Sequence, residues 1–144
     1  MNTHTDMDVA IHEAAHVIVA LACGLRVYEA RVFTSPNGYP AGVCTLDRSD
    51  DPVVRFAIAR AGELACPNPG LPPSKADIHE QRNALSLAAA RDGNTVGAET
   101  QGDSLARDII RRNRPLIQRL ARRLRSRRRL GPADLVDIAT RIRI

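Results

Sequence analysis

His12-Glu13-Ala14-Ala15-His16 lies within the run MDVAIHEAAHVIVALAC (7–23). Thr5 and Asp8 stand three apart, the spacing of a capping box, and an apolar series follows them. Gly24 supplies a C-terminal stop. The run therefore reads as a helix. Four residues advance a helix by about 400°, so the two imidazoles project about 40° apart on one face. Both can reach one ion at about 2 Å, with Glu13 beside them. A zinc ion held there lowers the pKa of a water to about 7, within reach of the glutamate as general base. The pattern H-E-x-x-H is thus that of metal-dependent peptide hydrolysis. Ala14 and Ala15 leave room for close packing. A tetrahedral catalytic zinc needs a third protein ligand. Position 22, where a further histidine would be simplest, is alanine, and Glu63, Asp77, His79 and Glu80 all remain candidates.

Outward from the helix, LRVYEARVF (25–33) and AGVCTL (41–46) read as two strands joined by the turn residues Ser35-Pro36-Asn37-Gly38. Asp51-Pro52 opens a second helix over VVRFAIARAGELA (53–65). CPNPGLPP (66–73) reads as an irregular loop. Ser74 caps a third helix to about Ala90. RDGNTVGAETQGD (91–103) is polar and contains glycine, so a mobile surface loop is expected. Helix resumes from Asp103, with Pro115 kinking or dividing it. Gly131-Pro132 ends it, and ADLVDIATRI (133–142) forms a last short helix.

The 144 residues fit one domain, 1–144, with 1–102 as the active-site part and 103–144 as arginine-rich helices. Aromatics are only 3%, so the core must be aliphatic, which favours helices. The expected class is mainly α (α+β): a helical zincin-like peptidase domain with a small β-ribbon and a C-terminal helical bundle. Residues 1–104 carry 8 Lys+Arg against 13 Asp+Glu, whereas residues 105–144 carry 13 Arg against 3 Asp. Such a tail suits an acidic partner, RNA or a membrane surface, or forms a solvated helix face. Cys23, Cys44 and Cys66 make no C-x-x-C pair, which fits buried thiols in a reducing cytoplasm. No signal peptide is evident at the start, and the apolar run from Val17 to Leu25 is too short to span a bilayer.

AIHEAAHVIVA (10–20) resembles the active-site helix of the FtsH-type zinc proteases, which typically reads HEAGHA. RVFTSPNGYPAGVCTL (31–46) is similar to that family's strand pair, and ARAGELA (59–65) to its following helix. SKADIHEQRNALSLA (74–88) resembles the helix bearing its third ligand, and ARDIIRRNRPLIQRLARRLRSRRRLGPADLVDI (106–138) its closing helices. The likeness runs in order along nearly the whole chain. It implies that His12, His16 and Asp77 bind Zn²⁺ and that Glu13 is the catalytic base. Asp77 has a second reading, as the acidic member of a capping box begun by Ser74. Ala15 replaces the family's glycine, and Leu64-Ala65 replaces its Ala-Glu. The family's membrane anchor and ATPase module have no counterpart, and no GxxxxGK[ST] loop occurs.

Peptides or unfolded proteins are the expected substrates, with a separate unfoldase as a further partner. Because extended substrates commonly add to a strand edge, Gly42 and Val43 are the expected substrate-binding residues. Two other readings stand beside this one: a catalytically silent zinc-bearing regulatory module, and nucleic-acid binding through the arginine-rich helices.

Overall fold

The computed structural model describes residues 5–66 and 74–144. The loop expected over 66–73 lies, beyond Cys66, outside the described residues. The elements run α1 (Asp6–Ala22), β1 (Val27–Thr34), β2 (Pro40–Leu46), α2 (Pro52–Ala65), α3 (Lys75–Arg91), α4 (Thr95–Arg112), α5 (Arg114–Arg127), β3 (Arg129–Leu130) and α6 (Pro132–Ala139). The architecture is mainly helical with one small antiparallel sheet.

The helix α1 begins as its sequence dictates. Thr5 Oγ1 accepts from the Asp8 amide, and Asp8 Oδ2 accepts from the Thr5 amide, each at 3.1 Å. Every residue from His12 to Ala20 is buried. A helix buried all round must be packed on several sides, and α2, α4, α5, β1 and β2 all contact it. The core is aliphatic, with Ile18, Ile117, Leu120 and Leu124 fully enclosed.

The sheet has the order β2-β1-β3, so β2 is an edge strand. Its register against β1 pairs Ala30 with Cys44, Arg31 with Val43 and Val32 with Gly42. An irregularity between Val27 and Glu29 inserts an extra residue. That slip lets Val27 and Ala30, three apart, both face the core. The sheet has one strand more than the two expected. Residues 129–130 carry no strand signal of their own and are placed by tertiary contact. Arg128 ends α5 in the left-handed region, with φ 70°. Its carbonyl accepts from the Val32 amide at 2.9 Å, delivering the chain to β1.

One expected loop is helix instead. Of the stretch 91–103, everything from Thr95 onward belongs to α4, capped by Asn94, whose Oδ1 accepts from the Gly97 amide at 2.9 Å. Gly97 and Gly102 lie inside this helix. A Cβ on Gly102 would stand 2.9 Å from both Phe56 Cβ and the Val53 carbonyl, so the glycine admits α2 against α4. Pro115 does divide the C-terminal helix, at Asn113. That buried side chain donates to the carbonyls of Ile109 and Arg143, both at 2.8 Å, and accepts from the Arg143 amide at 2.7 Å.

Candidate metal centre

The site is assembled from α1, α2, β2 and α3. His12 and His16 lie one turn apart on α1, their rings edge to face with centroids 4.8 Å apart. Asp77 comes from the first turn of α3 and closes the group. Its Oδ2 lies 2.7 Å from His12 Nε2 and 3.3 Å from His16 Nε2. One ligand atom from each residue lies within 4.8 Å of the others, and all three side chains are buried or half-buried. Among the described residues this is the one such group of histidine, cysteine and acidic side chains.

The donor set is compatible with a metal ion, its ligand atoms lying within 4.8 Å of one another, and a small tetrahedral ion would require closer and more equal spacing. Ligands at ~2.0 Å from such an ion stand about 3.3 Å from one another. The His16–Asp77 separation already has that value. The shorter His12–Asp77 contact reaches it by opening about half an ångström. The orientation of His16 is fixed from behind. Its Nδ1 lies 2.6 Å from the Ile58 carbonyl of α2, so Nδ1–H donates there and Nε2 is left to face Asp77. Against His12 the fixing is steric. A Cβ on Gly62 would fall 2.4 Å from the His12 ring, so only glycine lets α2 lie this close.

Ser74 Oγ accepts from the Asp77 amide at 3.0 Å. The Asp77 carboxylate does not return that bond and turns to the two histidines. The other candidate ligands are elsewhere. Glu63 binds Arg60 and Gln81, Glu80 faces Arg48 and Arg55, and His79 is exposed. Cys23, Cys44 and Cys66 are half-buried rather than fully buried.

Glu13 is buried beside the cluster and lies directly under β2. A Cβ on Gly42 would stand 2.5 Å from Glu13 Cγ and 3.1 Å from Oε1. Gly42 therefore seats the glutamate against β2. Val43 is exposed on the same strand. Both residues line a cleft of about 370 Å³ with Glu13, His16, Asp77 and Arg55.

The electrostatics follow from burial among opposite charges. Burial raises the Glu13 pKa, against the lowering effect of His16 and His12. Burial alone would lower His16, but the hydrogen bond and charge of Asp77, helped by Glu13, raise it to about 9. Burial alone would raise Asp77, but the two imidazoles hold its carboxyl well below the usual carboxylate range. Burial, with the charges of Glu13 and Asp77 added, pushes the Cys44 thiol far up.

Ile58, Gly62 and Arg55 are the site residues that sequence reading missed. Gly62 left one trace, a lone glycine in an otherwise alanine-rich helix. Comparison with known proteins found no matching family model and no matching curated protein. Among the described residues no helix is long and apolar enough to cross a membrane.

Proposed function

We propose that this chain is a zinc-dependent peptidase acting on peptides or unfolded proteins, a zincin-like relative of the FtsH-type proteases its sequence resembles. The observation that carries the reading is convergence. A carboxylate from a different helix, 61 residues beyond His16, meets both motif histidines while Glu13 lies buried alongside. The carboxylate beside both imidazoles, and the Ile58 carbonyl that takes the Nδ1 proton of His16, support this reading.

In this reading His12, His16 and Asp77 hold the zinc, which when bound supplies Lewis-acid polarisation of the scissile carbonyl and acidifies water. Glu13 takes a proton from the attacking water at its carboxylate and returns it to the leaving amine nitrogen. The Ile58 carbonyl keeps His16 in the tautomer that ligation needs. The free edge of β2 offers backbone donors and acceptors to an extended substrate, with Gly42 and Val43 nearest the chemistry. Folded substrates would have to be unfolded before they could enter.

Elemental analysis should find one zinc per chain. Casein digestion by Glu13→Gln should fall by about 10²–10⁴-fold with zinc retained. A zinc-loaded chain that leaves casein intact would instead be the silent binding module.

A further inference from the structure

The cleft carries charges that the hydrolytic chemistry does not use. Arg55, in the first turn of α2, lines it with Arg48 and Glu80. The Arg55 side chain is only 13% exposed. Its Nε is buried and has no acceptor among the described residues. The carboxylate that faces its guanidinium is Glu80, with Nη2 to Oε2 at 3.5 Å, the outer limit of a hydrogen bond. Glu80 Oε1 is shared just as loosely, with Asn83 Nδ2 at 3.3 Å and Arg48 Nη2 at 3.8 Å. Asp47, also in the cleft wall, is engaged by the Tyr28 hydroxyl at 2.7 Å. Two guanidiniums therefore share one carboxylate, and no contact among them is tight.

A buried cationic donor without an acceptor is unfavourable and calls for a partner. Nε and Nη2 form one edge of the planar guanidinium, the edge that grips a carboxylate through two parallel bonds. An anionic group entering the cleft supplies the acceptor that Glu80 offers only at long range. We propose that Arg55, assisted by Arg48, forms a carboxylate-binding subsite that selects acidic substrates. The subsite rests on the peptidase reading above and gives it a substrate class. The carboxylate is either an acidic side chain or the terminus of a short peptide.

The test uses the zinc-loaded full chain and quenched-fluorescence peptides of one neutral parent sequence. A single Glu or Gln is walked along the positions, each peptide having a free or an amidated C-terminus. At one position kcat/KM should be about tenfold higher for Glu than for Gln, or for free than for amidated termini, and the difference should reside in KM. A preference that survives amidation assigns the carboxylate to a side chain; one that vanishes assigns it to the terminus. The preference should collapse in Arg55→Met and grow in Glu80→Gln, where the internal competitor is gone. A merely structural Arg55 would leave that ratio unmoved, and an unmoved ratio in either variant overturns the subsite.

Anisotropy binding of the same peptides to Glu13→Gln reads the preference without turnover. A chain that discriminates in binding but cuts nothing keeps the subsite and loses the peptidase reading; one that cuts without discriminating does the reverse. Zinc content reports folding of each variant. Should Arg55→Met fail to fold, Glu80→Gln alone decides the matter.

Discussion

His16 is held from both sides, by the Ile58 carbonyl at Nδ1 and by Asp77 at Nε2, and this couples metal binding to protons. In the metal-free chain His16 stays protonated up to about pH 9. A metal ion must displace that proton, so zinc affinity should climb about tenfold per pH unit between about pH 6.5 and about pH 8.5. Competition against a chromogenic chelator measures it, and a flat profile would contradict the coupling. Stability of the metal-free chain runs the other way. The His16 contribution is complete below its unfolded pKa of about 6.5 and is lost as pH rises through about 9. That of Asp77, whose pKa is depressed, is present above about 3.9 and is lost as pH falls through its folded value. Gly62 gives a second prediction. Gly62→Ala favours an isolated helix by about 1 kcal/mol, yet the new methyl must push the His12 ring away. Zinc affinity should fall at least about tenfold, and unchanged affinity would refute the steric account. His12, Glu13 and His16 were legible because helical periodicity alone brings them together. Asp77 was legible only through the family resemblance. Ile58 and Gly62 were not, since a backbone carbonyl and a missing methyl matter only once α2 is packed on α1.

At the level of elements, the residues that announce themselves are caps and prolines. Thr5, Asp51 and Ser74 each begin a helix where their chemistry says, and Pro115 splits the last long one. The start of α4 departs from expectation: its low helix propensity suggests a loop, and tertiary packing prevails. Gly102→Ala tests that explanation. Propensity alone makes the change favourable by about 1 kcal/mol, whereas crowding against Phe56 and the Val53 carbonyl makes it unfavourable by roughly 1–3 kcal/mol. Urea unfolding should show a lower midpoint; a raised one would mean that α2 and α4 are not tightly apposed. The strand β3 was illegible for a similar reason, its two residues having no pattern beyond their place against Ala30 and Arg31.

Across the whole molecule, the basic C-terminal part is stitched back onto the acidic remainder. Arg128 pairs with Asp6 and Arg129 with Glu29, while Arg127 pairs with Asp134. Arg119, Arg122 and Arg125 are exposed on α5 without ion-pair partners among the described residues, and they are what a nucleic-acid reading has to draw on. No Phe, Tyr or Trp follows Phe56 in the chain, so the arginine-rich helices carry no stacking aromatic of their own. The attachment of α3 is different in kind. Of its 17 residues only Ala84 and Ala88 are buried, yet it delivers Asp77 to the two histidines of the central helix. An ion bound there would fasten a largely exposed helix to the most deeply embedded one. Stripping it with a chelator should accelerate amide hydrogen exchange along α3 while leaving α1 slow, and equal acceleration in both would show that the whole fold, not one helix, depends on the ion. Metal supply would then govern more than the site itself: a starved chain would expose α3 to proteolysis, so that scarcity would shorten its life.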